Sequence, residues 1–253
     1  MADAPPPGTQ TLARGLAVIR AVADGATDLR ALVARTGLGR STAHRLVQLL
    51  VSEGYLRSGR EGYTLGPTLI ELGFQALHGN PLPVVARPVL EELSAQLSDT
   101  VHLAVRDGDS VLYLDKLPGS RGAEMRSRIG HRMPLTRTGV GMALLLDSEP
   151  EWRGLYQAEA PLEPDQVHPG DLDAFLVRMR EYAETGVALD LEDNEPGIRC
   201  VAAPVRDASG TIAGAISVSA TRPYMPAARL RGLAKVVGRA AQQISAGLGH
   251  RDH

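Results

Sequence analysis

Residues 28–66, DLRALVARTGLGRSTAHRLVQLLVSEGYLRSGREGYTLG, constrain this chain more than any other stretch. Leu29, Leu32 and Val33 recur at i, i+3 and i+4, the spacing of one apolar helical face. Gly37 ends that helix, because glycine enters the left-handed conformation without steric cost. Leu38 fills the angle before a second helix, which buries Leu46, Val47 and Leu50. The first turn of that helix exposes Arg40, Ser41, Thr42, His44 and Arg45, donors and short polar groups of the kind that reach phosphates and base edges. Gly54 closes it, and Tyr55-Leu56-Arg57 and Tyr63-Thr64-Leu65 then read as two short strands around Ser58–Gly62, a hairpin with Arg60 at its tip. Two helices at a glycine turn followed by a hairpin predict a helix-turn-helix with a β-wing.

Charge supports the same reading. Between Thr9 and Gly66 there are eight Arg, no Lys and four acids, a balance of +4 in a chain whose formal charge is −2. A basic segment on a mildly acidic protein is the electrostatic footprint of phosphate binding.

A helix over about Leu12 to Ala23, with Leu12, Leu16, Ile19 and Val22 buried, completes an N-terminal domain over residues 9–66. Pro5-Pro6-Pro7-Gly8 reads as part of a disordered leader over residues 1–8. Leu69, Ile70, Leu72, Phe74 and Leu77 predict a linker helix over Pro67–His78, inside a linker segment of residues 67–81.

Residues 82–250 form a second domain of mixed signals. Helices are expected over Val84–Leu97, Gly139–Leu146, Leu172–Glu184 and Ala227–Leu248. Strands are expected over Val101–Val105 and Val111–Asp115 around Asp107-Gly108-Asp109, over Glu124–Ile129 with Met125, Ser127 and Ile129 on one side, and over Cys200–Val205 and Thr211–Ser219. Hairpin-joined strands make this an α+β domain, not a βαβ repeat. A length of 253 residues suits two domains, and 43% hydrophobic with 22% charged residues describes a globular chain with a substantial core. Cys200 is the single cysteine, so no internal disulfide can form. MADAPPPGTQ shows neither a basic start nor an apolar core, and no apolar run has the length of a membrane span. A cytoplasmic location with no membrane contact is expected.

The chain resembles the IclR family of bacterial transcriptional regulators from about Thr11 to Gly247. The resemblance is carried by GRSTAHRLVQLLVSEGYL (39–56), GYTLGPTLIELG (62–73), ARPVLEELSAQLSDTVHLAV (86–105), VLYLDKLPGS (111–120), MRSRIGHRMPLTRTGVGMALL (125–145) and GVALDLEDNEPGIRCVAAPVRDASGTIAGAISVS (186–219). It implies an N-terminal winged helix-turn-helix domain, a linker helix and a C-terminal GAF-like α/β effector-binding domain. It also implies a homodimer or dimer of dimers on double-stranded operator DNA of pseudo-palindromic sequence. The effector pocket it implies has an apolar wall of Met125, Met133 and Ile198, a loop at Gly139 and Val140 whose backbone faces the ligand, and polar contacts from Asp190, Cys200, Ser217 and Ser219. Two places depart from the family pattern: Gly141-Met142-Ala143 stands where Gly-Lys-Ala is frequent, and Thr136-Arg137 stands where a His is frequent.

Read by themselves, the pocket residues are chemically coherent. Ser217 and Ser219 at i, i+2 share one strand face, and a helix starting near Gly139 presents N–H groups. Asp190 beside an anion is costly unless the ligand also offers a donor or the carboxyl is protonated. The expected effector is therefore a small organic acid that also carries a hydroxyl or amide donor. Two other classes compete. An enzyme could use Cys200 as a nucleophile with His102, His131 or His168 as base, although there is no Gly-x-Ser-x-Gly elbow and Gly139-Val140-Gly141 lacks the third glycine of a dinucleotide loop. An architectural DNA-binding protein would need no second domain of this size. Neither a cofactor nor a metal centre is expected, since the seven His are scattered.

Overall fold

The structure, a computed structural model, describes Pro6 and residues 8–120, 125–159 and 172–251. The expectations for most of the leader, for Glu124 and for His168 fall outside the described residues. The chain divides into two compact units, residues 1–79 and 80–253.

In the first unit, α1 (Gln10–Ala23), α2 (Leu29–Thr36) and α3 (Arg40–Ser52) precede the hairpin β1 (Leu56–Gly59) and β2 (Gly62–Leu65), and α4 (Pro67–His78) follows. Helix α2 starts where the Asp28 carboxylate accepts the Ala31 N–H at 2.8 Å, and it stops at Gly37, which adopts φ 67°. The wing hairpin is anchored by the Tyr63 N–H, which donates to the Thr27 carbonyl at 2.7 Å. Val18, Val22, Leu32, Val47 and Leu56 form the core, and each such side chain contributes roughly 1.5–3 kcal/mol by leaving water. The stripe expected on α1 is rotated. Val18, Ala21 and Val22 are buried, whereas Leu12 and Leu16 are 66% and 44% exposed. Small residues at Ala17, Ala21 and Ala26 allow closer approach on the other side, so the leucines face outward.

The second unit holds α5 (Pro81–Leu97), β3 (Thr100–Asp107), β4 (Ser110–Leu117), β5 (Arg132–Pro134), α6 (Gly139–Leu144), α7 (Glu149–Ala158), α8 (Leu172–Thr185), β6 (Ala188–Leu191), β7 (Ile198–Arg206), β8 (Ile212–Thr221) and α9 (Ala227–Gly247). The strands form one antiparallel sheet in the order β5-β4-β3-β8-β7-β6. Side chains alternate across it. Val101, Leu103, Val201, Val205, Ile216 and Val218 meet α5 and α9 on one face. Ala104, Ala202 and Ala215 lie on the other, under α6, α7 and α8 with Trp152 and Phe175. Helices thus cover both faces, an α+β arrangement. Helix α7 and strand β6 have weak periodicity in sequence, and neither is expected from it.

In the described part of the strand expected over Glu124–Ile129, Met125–Ile129, no strand is formed; β5 begins at Arg132. Met125 and Ser127 do point inward, but Ile129 is 58% exposed. The cause is Lys116, whose Nζ donates to the carbonyls of Met125 at 3.2 Å and Ser127 at 2.6 Å. A backbone whose carbonyls are drawn to one ammonium cannot also keep a ladder register.

The loop leading into α6 is held by one carboxylate. Glu159 accepts the Leu135 N–H at 2.6 Å and the Thr136 N–H at 3.0 Å, and its backbone carbonyl accepts from buried Arg137 at 2.8 Å. Glu159→Ala is expected to lower stability by about 2–3 kcal/mol through unpaired donors, roughly 4–10 °C in Tm for a unit of this size. Calorimetry checks this, and a melting temperature within roughly 1 °C of wild type would remove Glu159 as the brace.

Candidate nucleic-acid interface and effector pocket

The outward face of α3 carries Arg40, Ser41, His44, Arg45 and Gln48, all exposed, at spacings that stack on one side of the helix. Ala43 and Val47 occupy the opposite, buried side. Thr42 is half-buried, turned away from the centre of the exposed face. Gly59 pairs with Gly62, so the wing turns in two residues, Arg60 and Glu61, a tighter tip than the five expected. Among the described residues, Arg40, Arg45 and Arg60 have no hydrogen-bond or ion-pair partner. Unpaired guanidinium groups on a rigid helix are available donors for phosphate or a guanine edge. Gln48 belongs to the same face, but it lies one turn beyond the basic first turn and is uncharged, so charge patterning does not mark it.

In the second unit, all nine residues expected to line an effector pocket meet at one cavity under the α6 face of the sheet: Met125, Met133, Gly139, Val140, Asp190, Ile198, Cys200, Ser217 and Ser219. Antiparallel pairing brings them together. Asp190 lies opposite Cys200, Cys200 opposite Ser219, and Ser217 opposite His102. Gly139 fits because α6 descends onto the sheet there; a Cβ on it would sit 3.1 Å from Cys200 Cβ. Thr138 caps α6, accepting the Gly141 N–H at 3.1 Å. The cavity is small, about 30 Å³.

Six further residues line it: His102, Tyr113, Ser127, Thr138, Asn194 and Glu195. Tyr113 reaches it through a bulge. The register of β4 shifts so that Asp115 lies opposite Leu103 but Tyr113 opposite Ala104, which turns Tyr113 and Lys116 to the pocket face. His102 is buried between two hydroxyls, with Nε2 2.8 Å from Ser127 Oγ and Nδ1 3.4 Å from Ser217 Oγ. Burial, and secondarily the charge of Lys116, lower its pKa to about 3, so it is a neutral member of the wall. The signal that could have found it is a polar residue between Val101 and Leu103 in a strand covered on both faces.

Asp190 is almost wholly buried. Its Oδ1 accepts the Asp193 N–H at 2.8 Å, holding the turn between β6 and β7. Burial, with a smaller contribution from Asp193, raises its pKa to about 7 despite these backbone donors. A carboxyl that stays protonated in the fold but ionises near pH 4 when unfolded favours the fold below that point. The advantage is lost as pH rises from about 4 to 7, by on the order of 3–4 kcal/mol. Asp190→Asn should therefore flatten the fall in stability over that window relative to wild type. Denaturation at pH 5 and pH 8 measures it, and identical pH slopes in the two proteins would refute the raised pKa.

The chemistry of Cys200 does not suit a nucleophile. Burial first, then Asp190, pushes its thiol well above the ordinary value, and its sulfur lies 2.9 Å from Ser219 Oγ. The nitrogens of His102 are engaged by the two serines, and His131 lies exposed, outside the lining of this pocket. Among the described residues, no group of three or more His, Cys, Asp or Glu is placed to hold a metal.

An exposed basic helix beside a wing, joined in one chain to an α/β unit with a pocket of mixed polar and apolar lining, defines a helix-turn-helix regulator with a sensing domain. The comparisons make this specific. Residues 11–59 match the IclR helix-turn-helix domain, and residues 74–246 match the family described as bacterial transcriptional regulator IclR C-terminal. The chain belongs to the IclR family of transcriptional regulators. The HTH-type transcriptional regulator XynR of Escherichia coli is 31% identical over 96% of this chain and 99% of its own. The DNA-binding transcriptional repressor YiaJ of the same organism is 30% identical over 96% and 89%. The crystal structure of an IclR homologue from Microbacterium hydrocarbonoxydans, complexed with 4-hydroxybenzoate, superposes with a TM-score of 0.82 at 26% identity, covering 94% of this chain and 98% of that one. These are regulators, and the Cys200 enzyme reading is not supported. No helix among the described residues is long and apolar enough to cross a membrane.

Proposed function

We propose that this chain is a cytoplasmic repressor whose affinity for a pseudo-palindromic operator is set by a small hydroxylated organic acid. The observation that carries the reading is the convergence of the nine pocket residues, from six separate stretches of sequence, on one cavity. Arg40, Ser41, His44 and Arg45 face the major groove, with half-buried Thr42 at the margin of that face, and Arg60 faces the backbone or minor groove. The serines and Gly139–Val140 hold the acid, Met125, Met133 and Ile198 exclude water, and neutral Asp190 accepts or donates to the hydroxyl. The boundaries 9–66, 67–81 and 82–250 are the proposed DNA-binding, linker and effector-binding segments. 4-Hydroxybenzoate, bound by the Microbacterium relative, has both required groups and is the natural first probe. Its entry requires the lining to shift, because ligand pockets run to hundreds of Å³ against about 30 Å³ here. The effector then acts by binding the operator-competent and operator-released states of the protein with different affinity. The test is fluorescence anisotropy of the promoter fragment upstream of this gene, titrated with the full-length protein and then with hydroxy acids. Saturable binding that shifts at least tenfold with one of them supports the reading; tight binding indifferent to every acid favours the architectural class.

A homodimer or dimer of dimers is part of the proposal. Ile70, Leu72 and Phe74 on α4 are 63%, 43% and 58% exposed, and Leu12 and Leu16 on α1 are exposed as well. Exposed apolar pairs one turn apart, Ile70 with Phe74 and Leu12 with Leu16, mark interaction surfaces. Light scattering at micromolar concentration should give a dimer or tetramer, and Ile70→Glu with Phe74→Glu should shift it toward monomer. A monomeric wild type, with and without DNA, contradicts the symmetric assembly.

A further inference from the structure

Helix α9 contains Arg229, Arg231, Lys235 and Arg239 and no Asp or Glu. Arg229 pairs with buried Asp99. The other three are exposed and, among the described residues, form no ion pair. At i, i+4 and i+8 they stack on one side of the helix at intervals of about 6 Å. Beneath this row runs a groove of about 920 Å³. Its floor is Val187, Leu189 and Leu191 of the edge strand with Leu230 and Ala234 of α9, and Glu181 lies on the facing wall. Residues 187, 189 and 191 alternate with Asp190, so the groove opens on the opposite face of the sheet from the effector pocket. Along α9 it is lined from Ala227 to Gln242, a run of about 20 Å. The Tyr182 hydroxyl donates to the Leu189 carbonyl at 3.1 Å, which engages one backbone acceptor of the edge strand.

We propose that this groove is a second ligand site, for an elongated amphiphile bearing a carboxylate, its carbon chain along the β6 floor and its head on the Arg231–Lys235–Arg239 row. The length and unbroken apolar floor suit a chain; a compact hydroxy acid would leave most of that surface wet. The cation row selects the sign of the head. A second copy of this chain docked here about a two-fold axis through α9 would set cation row against cation row, which disfavours self-association at this face.

The test is calorimetric titration of the full-length protein with dodecanoate, dodecanol and dodecylammonium, each below its aggregation concentration. The wild type is compared with an Arg231→Gln, Lys235→Gln, Arg239→Gln variant, and with Ser217→Ala, Ser219→Ala to separate the groove from the effector pocket. Dodecanoate is expected to bind once per chain, at least tenfold more tightly than the alcohol or the amine. The triple variant should lose that preference at least tenfold, and the serine variant should keep it. Equal affinity for dodecanoate in wild type and triple variant overturns the site. So does loss of binding in the serine variant, which would place the chain in the effector pocket. Absence of dodecanoate binding, or sedimentation showing the triple variant alone to change oligomeric state, also overturns it, the latter assigning the face to a second copy.

Discussion

Arg40→Ala and Arg45→Ala will each weaken operator binding while leaving the fold intact. Both side chains are exposed on α3 and lack a partner among the described residues, so their removal leaves no buried group unsatisfied. A base-contacting arginine should cost about 1–3 kcal/mol per half-site and relax specificity at one position. A phosphate-contacting one should weaken specific and non-specific DNA alike and lower the salt slope by about 1. In the dimer proposed above, which would engage two half-sites, each substitution acts twice, on the order of 2–6 kcal/mol in all, or roughly thirtyfold to more than ten-thousandfold. Titrations of operator and scrambled duplex at several salt concentrations separate the two roles. If both variants bind operator as wild type does, α3 is not the reading element.

The helix-turn-helix was legible because its signals are local. Gly37, the apolar spacing of α2 and α3, and the two glycines flanking the wing tip each specify backbone geometry within a few residues. The span of helix α4, Pro67–His78, was legible for the same reason. What failed depended on tertiary context. Of the stripe Leu12, Leu16, Ile19 and Val22, Val22 is buried as its spacing predicts, but Leu12 and Leu16 are exposed, and Val18 and Ala21 take their place in the core. Ile129 continues the alternation of Met125 and Ser127 on paper, but Lys116 pulls that backbone out of register.

The effector pocket shows the limit differently. Ser217 and Ser219 can be placed on one face by period-2 alternation alone, but their convergence with Gly139, Asp190 and Met125 came from the family resemblance, not from spacing. Tyr113 was hidden by the β4 bulge, since no pattern in VLYLDKL announces a reversal of faces. His102 was seen only as a possible base. Its two serine neighbours are 25 and 115 residues away in sequence, so its role as a neutral hydrogen-bonding wall depends on strand pairing.

The second large effect is expected in that pocket. Ser217→Ala combined with Ser219→Ala will abolish the ligand response and leave ligand-free operator affinity within about twofold of wild type, or about 0.4 kcal/mol. Both hydroxyls are buried, and they bond within the wall, Ser217 to His102 and Ser219 to Cys200. Losing them removes two groups able to turn toward a carboxylate and leaves His102 with Ser127 alone on Nε2. A hydrogen bond to a charged group is worth about 1.5–3 kcal/mol, so two should weaken ligand binding by roughly a hundredfold or more. The proposed operator face lies in the other unit, on α3, and shares no residue with the pocket. Selective loss of response, with operator binding retained, therefore distinguishes a sensing defect from a folding defect. Anisotropy against ligand concentration measures both quantities in one titration. An unchanged half-maximal ligand concentration in the double variant would place the effector elsewhere. A response that persists only for ligands without an acid group would shift recognition to the Met125, Met133 and Ile198 wall.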